Sequence, residues 1–525
     1  MRLDQRLGGV LCGRPLPLAL VGLFLLGLVS TAHGADRRFA VVVGYNDSND
    51  PDLAPLKYAD DDALRTAELL SNVSETVTVL AQVDEETARL QSGAKTMPPT
   101  RQVLLEALGE VRQAMQRARE DGDRPVLYFV YSGHGNYDAE GRGYVHLRGG
   151  RFTTRDLYRH VIEPSQGDPV ILMVDACNAA LLVNSRGKKP ERRVARRSTL
   201  RLEDHPNVGV ILASSSVGET HEWGRYLAGI FSHEVRSGLL GPADVDDDGR
   251  VTFPELAAFV AAANARVTNP NVRVNPYIRP PLGEPDLPLV DLASASFPAR
   301  VRVDSALRGR AHLLDQDLVR LADFHRGPDH GFWVALPRTD GFVIVHGDEE
   351  FLVPEGATGA LEVGDLRRRP RTRISSRGAG SAYFDKTLFS EAYSRDFATR
   401  YLEETYSRDL VVRRFEPLPW YQNAGAWAVL GTGVASMAAG AALHGQALQA
   451  QDLANASPWA DVRHRENRRM DKLETGAMVA AGAGAAALVG SSLWFLLDQP
   501  WQEERYEPQL RVRVHPQGIT IQGDL

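Results

Sequence analysis

Cysteine is nearly absent from the chain: its 525 residues include two, Cys12 and Cys177. Cys12 sits in a leader-like head, ahead of the apolar segment, and is badly placed to carry a lipid. With that head removed one thiol remains, which excludes an internal disulfide. An exported protein that keeps a single thiol is most simply explained if the thiol works. A large excess of either charge is also missing. The net charge is −7 and the one dense basic cluster, near Lys188, is short, so no nucleic-acid partner is expected. The length is too great for one core and implies two or three domains.

Charge is missing altogether from three stretches. Residues 16–29 are uncharged, follow Arg2, Arg6 and Arg14, and lead into the small residues around Gly34. This is the pattern of a secretory signal peptide over residues 1–34, cleaved after Gly34, with an uncleaved anchor as the alternative. Residues 424–443 and 475–497 are each about long enough to cross a bilayer. They are rich in Ala and Gly, and Trp420, Tyr421, Trp427, Trp494 and Trp501 stand at their ends like an interfacial belt. The loop between them, 444–474, carries Arg463, Arg465, Arg468, Arg469 and Lys472, which places it in the cytoplasm. Both spans and the tail 498–525 then agree with an exported, membrane-anchored protein whose front faces the periplasm or the cell exterior. A pair of buried helices in a soluble bundle is the competing reading.

What is present in strength is two apolar runs that each end in chemistry. Residues 126–135 finish in Tyr131-Ser132-Gly133-His134-Gly135, and residues 169–178 finish in Asp175-Ala176-Cys177-Asn178. Short β-branched and aromatic runs without helical period, separated by helix-like segments, predict buried neighbouring strands of a parallel sheet. Function in such sheets collects at the carboxyl ends of strands, where an imidazole and a thiol from separate strands meet. A thiol needs a base to attack a carbonyl, and His is the usual one. The strand expected at residues 38–44, the helix opening at residues 56–64, the strand at 77–80 and the amphipathic helix at 100–117 complete an α/β layer. Asp60 and Asp61 read as plain caps of the first helix.

These two motifs, with Ala179 after the second, resemble the caspase-like cysteine peptidases, nearer to the metacaspase and bacterial branch than to animal caspases. Animal caspases carry Gln before Ala-Cys and Arg after it, where this chain has Asp175 and Asn178. The separation is close to the roughly fifty residues between His and Cys in caspases. The resemblance implies a caspase-like, mostly parallel sheet flanked by helices over residues 36–275. It implies Cys177 as nucleophile, His134 as general base, and the backbone N–H groups of Gly135 and Cys177 as oxyanion donors. It implies Asp62 and Asp175 as the lining of the first specificity pocket, hence a protein or peptide substrate cut after Arg or Lys. The basic run 186–201 takes the place of the family's interdomain linker and of self-processing, and Ser214-Ser215-Ser216, Gly218-Glu219-Thr220 and Gly229-Ile230-Phe231-Ser232 that of its small portion. A catalytically silent caspase-fold scaffold and a membrane signalling or binding protein remain the alternatives.

The chemistry requires no cofactor. Calcium is the one metal for which the sequence provides, in the twelve residues 244–255: Asp244, Asp246 and Asp248 at positions 1, 3 and 5, Gly249 at 6, Val251 at 8 and Glu255 at 12. Gly238, Gly241 and Pro242 interrupt an entering helix and no second hand is visible, so an acidic turn capping a helix is the alternative. Residues 276–298 are rich in Pro and read as a linker. Residues 299–415 alternate apolar and polar positions between turn signals and read as a small β-rich module whose own protein partner the sequence does not name. Residues 386–408 within it look helical.

Overall fold

The computed structural model describes residues 34–91, 93–183, 202–214, 222–269, 273–371, 379–406, 412–417, 423–497, 501–506, 511–515 and 518–522. The expected signal peptide up to residue 33, the basic linker 186–201 and residues 215–220 of the small portion lie outside the described residues. The chain divides into two compact units, Met1–Tyr406 with Val512–Ile521 and Ser407–Arg511 with Gln522–Leu525.

The first unit is built on one sheet. Its strands β1 (Asp36–Tyr45), β2 (Thr76–Ala81) and β3 (Arg124–Gly133) alternate with helices α1 (Ala59–Leu70), α2 (Glu85–Leu90) and α3 (Arg101–Glu120). A small antiparallel sheet follows, β4 (Gly135–Tyr137), β5 (Gly143–Leu147) and β6 (Gly150–Thr153), then α4 (Thr154–Leu157). The chain returns through β7 (Val170–Asp175), α5 (Ala179–Val183) and β8 (Val208–Ser214). Beyond lie the short pair β9 (Glu222–Trp223) and β10 (Ala228–Gly229), α6 (Ile230–Leu239), β11 (Arg250–Thr252), α7 (Phe253–Asn264) and β12 (Asn275–Arg279). The order across the sheet is β12-β8-β7-β3-β1-β2, parallel throughout except for β12.

The pattern of each strand explains its place. In β1, Phe39, Val41 and Val43 face the core cluster shared with Leu104, Leu108, Val111 and Met115 of α3, which recur at helical spacing on one stripe. The Thr100 side chain caps α3 by accepting from Val103 N. The other face of β1 receives α1 at close range: a Cβ on Gly44 would lie 2.5 Å from the Ala59 carbonyl oxygen. Each large side chain buried in these layers contributes about 1.5–3 kcal/mol. The strand ends that carry the chemistry are therefore held by a rigid sheet.

Asp60 and Asp61 are not plain caps. Asp60 is fully buried and accepts from Asn46 Nδ2 and from Asp84 N, and Asp61 pairs with Arg65 at 3.0 Å and accepts from Thr87 Oγ1. They tie α1 to the loops around it.

The expected linker at 276–298 is a second departure. Asn275–Arg279 is β12, the sixth strand of the central sheet, and Pro288–Asp291 is β13, antiparallel to β11. Proline is tolerated at the start of an edge strand, because the side without N–H can face away from the ladder. The expected module at 299–415 begins as two small sheets. One orders β17 (Phe332–Leu336), β14 (Ala299–Val303) and β20 (Gly359–Glu362). The other orders β16 (Arg320–Arg326), β15 (Gly309–Leu314), β18 (Phe342–His346), β19 (Glu349–Val353) and β21 (Arg367–Pro370). Two helices follow, α8 (Ala379–Thr387) and α9 (Arg395–Tyr401). The module is welded to the central domain: Ala335 N donates to the Leu240 carbonyl, Asn72 Nδ2 to the Pro337 carbonyl, and buried His233 meets buried Asp323 at 2.8 Å.

In the second unit, two helices span Ala424–Ala456 and Ala460–Leu497. They run through most of the stretch expected as a loop at 444–474, because its Ala, Leu, Gln, Arg and Glu residues are good helix formers, and the break falls at Ser457-Pro458. Small residues form the seam between the helices: a Cβ on Gly433 would lie 3.1 Å from Ala487 Cβ, and one on Gly484 only 2.8 Å from the Gly433 carbonyl oxygen. Their apolar windows are only 17% and 11% buried. In the tail, Trp501–Tyr506 pairs antiparallel with Val412–Pro417.

Candidate active site

Register decides which side chains meet. β3 pairs with β7 so that Ser132 stands opposite Asp175, and each chain then runs two residues further, to His134 and to Cys177. Adjacent parallel strands lie about 4.8 Å apart, so imidazole and thiol leave neighbouring strand ends at the same level. Close approach of the two backbones needs glycine: a Cβ on Gly135 would sit 2.3 Å from the Cys177 carbonyl oxygen and 3.0 Å from Ala176 Cβ. Asn178 turns the chain sharply after Cys177 with φ 58°, a left-handed conformation that Asn tolerates, and α5 begins at once. Cys177 is half-buried.

His134 is buried, and its Nε2 makes no hydrogen bond among the described residues. Burial lowers its pKa, opposed by the backbone carbonyls of Ala54 and Asn46 and by Asp47. The imidazole is thereby kept neutral, the form a general base requires. The loop that supplies those carbonyls is anchored on a second histidine, which sequence reasoning missed. His146 in β5 is fully buried, its ring centre 6.2 Å from that of His134, and its Nδ1 accepts from Asn49 N at 3.1 Å. Burial, and then His134, push the His146 pKa down to about 4, so it stays neutral and can accept. The Tyr131 hydroxyl lies 3.0 Å from the His134 carbonyl oxygen and 2.8 Å from that of His146, locking β3 to β5 behind the site. Nothing local in the sequence marks His146, because its role depends on a sheet pairing.

The two carboxylates expected to line a specificity pocket also converge. A Cβ on Gly229 would lie 2.9 Å from Asp62 Oδ2 and 2.9 Å from Asp175 Oδ2. Asp62 accepts from Gly229 N at 2.8 Å and pairs with buried Arg236 at 2.8 Å. Asp175 Oδ2 accepts from Ser232 N and Oγ, while its Oδ1 is buried with no hydrogen-bond partner among the described residues. Burial and then the Asp62 charge push the Asp175 pKa up to about 7. Arg236 already answers Asp62, so ionisation of Asp175, complete only above about pH 7, leaves the cluster with one net negative charge. Arg236 was not anticipated, being 174 positions from Asp62.

Residues 37–267 match the family model of the caspase domain. The chain carries a caspase-like domain. Among solved structures the chain is similar to caspase-1 from Spodoptera frugiperda, at 13% identity over 47% of this chain and 87% of that one, with a TM-score of 0.29. It is also similar to the structure of pro-sf-caspase-1, at 14% identity, 47% and 87% coverage and a TM-score of 0.28. No curated protein matches the chain.

At the far end of the caspase-like domain the acidic loop lies between α6 and α7, so an entering helix does exist and ends at Leu239. Oxygens of Asp244, Asp246 and Glu255 lie within 4.8 Å of one another, whereas Asp248 is not of that group and accepts from Arg250 N instead. Glu255 also forms the capping box of α7, Oε2 accepting from Thr252 N and Oγ1 while Oε1 accepts from Val245 N. The capping-box reading of the motif is present in the loop. The strand of the loop, β11, pairs antiparallel with β13.

Proposed function

We propose that the protein is a membrane-tethered cysteine endopeptidase whose caspase-like domain faces the periplasm or the cell exterior. The observation that carries this reading is the register that brings His134 and Cys177 out of adjacent strands at one level, with Gly135 packed on the Cys177 carbonyl. Cys177 attacks the peptide carbonyl as its proton passes to neutral His134. The tetrahedral oxyanion is received by the N–H groups of Gly135 and Cys177. His134 then protonates the leaving amine, and water, deprotonated by the same imidazole, hydrolyses the acyl-enzyme. A peptide electrophile is expected to label Cys177 in the native chain and to fail in His134→Ala; equal labelling of both would leave a reactive thiol with no base and favour a silent scaffold.

Calcium fits the acidic loop as a structural ion. Three buried or half-buried carboxylates converge there, and burial together with Asp246 and Asp248 pushes the Asp244 pKa up to about 7, a repulsion that a divalent cation relieves. Asp244, Asp246 and Glu255 would hold it, with Asp248 the fourth carboxylate of the sequence motif. The ion would order the loop and take no part in the chemistry. Isothermal titration is expected to give calcium binding that weakens at least about tenfold in Glu255→Gln, which removes the charged ligand at position 12. An absence of binding at millimolar calcium would leave the capping box as the only role of Glu255.

The two long apolar helices serve as the anchor, with the basic turn around Arg463 on the cytoplasmic side. A chain ended after Tyr406 is expected to be soluble without detergent and to retain cleavage. If the full chain is also a soluble monomer without detergent, the helices pair with protein and not with lipid.

A further inference from the structure

At the junction between the caspase-like domain and the β-rich module lies a cleft of about 240 Å³, open to solvent and lined by none of the residues of the Cys-His site. Its wall collects guanidinium groups from four separate elements: Arg225 from the turn between β9 and β10, Arg310 from β15, Arg320 from β16 and Arg371 just beyond β21. His312 of β15 and Asp385 of α8 complete its polar lining.

Positive charge exceeds negative there. Asp385 is taken up by Arg225, and Asp323, behind the wall, by Arg320. Arg310 and Arg371 have no carboxylate partner among the described residues. Arg310 donates to the Asp385 backbone carbonyl, and Arg371 reaches only the Gly347 carbonyl at 3.4 Å. Two net positive charges therefore face one small space. The groups register the repulsion: burial and then Arg320 lower the pKa of Arg225, and burial with Arg320, Arg371 and Arg225 holds His312 well below its ordinary value. Folding gains nothing from crowding four guanidiniums around a void, and apolar side chains would fill it at no electrostatic cost.

We propose that this cavity is a binding site for a small phosphoryl-bearing anion, of the size of phosphate or pyrophosphate. Its volume falls below the roughly 300–1,000 Å³ of pockets for drug-sized ligands, so what its wall can surround is one or two phosphoryl groups. Guanidinium forks arriving from several directions match the tetrahedral oxygens of a phosphoryl group better than the planar oxygens of a single carboxylate. The bound anion takes the free N–H groups of Arg310 and Arg371 and relieves Arg225. The site stands independently of the peptidase reading. It does touch the same hairpin, since Arg225 precedes by four residues the Gly229 whose N–H holds Asp62.

The test is isothermal titration of the full chain in detergent with inorganic pyrophosphate, a readout that needs no catalysis. One saturable site is expected. Arg310→Gln and Arg371→Gln should each weaken it about tenfold or more, while Arg300→Gln, over the Trp333 ring and away from the cavity, should leave it unchanged. Should Arg310→Gln not fold, Arg371→Gln, at a half-exposed position, carries the test. No saturable binding, or equal binding in the variants and the native chain, overturns the proposal. Tighter binding of citrate than of pyrophosphate overturns the phosphoryl assignment.

Discussion

Cys177→Ala and His134→Ala are each expected to lower kcat/KM for peptide cleavage by about 10⁴-fold or more while leaving the fold intact, as circular dichroism would show. The size follows from the mechanism. Without the thiol there is no acyl-enzyme. Without the imidazole the thiol stays protonated near neutral pH, its ordinary pKa being about 8.5, and the leaving amine has no acid. The effect on stability follows from the surroundings. Cys177 is half-buried, so its truncation removes little, whereas His134 is buried and held by the Ala54 and Asn46 carbonyls, so His134→Ala lowers stability more while the sheet around it keeps the fold. The double variant should be no worse than either single one, because the two act as a unit. Cleavage that persists in both single variants would sink the assignment.

Asp175→Asn is expected to fold and yet to lose preference for Arg and Lys at the cleavage position, by roughly two to nearly four orders of magnitude. This is the cost of about 3–5 kcal/mol for leaving a buried cation without its counter-charge. The structure separates the two pocket carboxylates. Asp175 keeps a buried oxygen with no hydrogen-bond partner among the described residues, whereas Asp62 is committed to Arg236 and to Gly229 N. Asp62→Asn should therefore destabilise the fold, by stranding buried Arg236, more than it changes selectivity.

The pH profile carries the same distinction. Asp175 must be ionised to hold a cation and its pKa is pushed up to about 7, so kcat/KM for Arg substrates should rise as pH passes through about 7. His134, lowered by burial, is already neutral there. In Asp175→Asn the limb near 7 should vanish, leaving an acid limb below the ordinary imidazole value of about 6.5. The native chain is further expected to split within residues 186–201, rich in Arg and Lys, and Cys177→Ala to stay whole. A peptide library cut chiefly after Asp or after apolar residues would remove the pocket assignment and leave the Cys-His chemistry standing.

The parts legible in the sequence were those written locally. A run of β-branched residues ending in Gly133-His134-Gly135 signals a buried strand and its exit, and so does the run ending in Asp175-Ala176-Cys177, because strand propensity, burial and the chemical group lie within ten residues of each other. The amphipathic stripe of α3, the acidic loop at 244–255 and the two uncharged C-terminal stretches are local in the same way. Tertiary structure alone decided whatever depends on partners far along the chain. The start of the Pro-rich stretch expected as a linker, residues 275–279, became the sixth strand because β8 offered it an open edge. Asp60 and Asp61 became buried ties because Asn46, Asp84, Arg65 and Thr87 close around them. Asp62 and Asp175, alike on paper, acquired different surroundings because Arg236 forms its ion pair with the first. His146 and the four arginines of the cavity wall gain their meaning from sheet pairing and domain contact. The physical reason is common to all of these: hydrogen bonds and ion pairs act over a few ångströms, and only the folded chain decides which groups, some close in sequence and some far apart, come within that range.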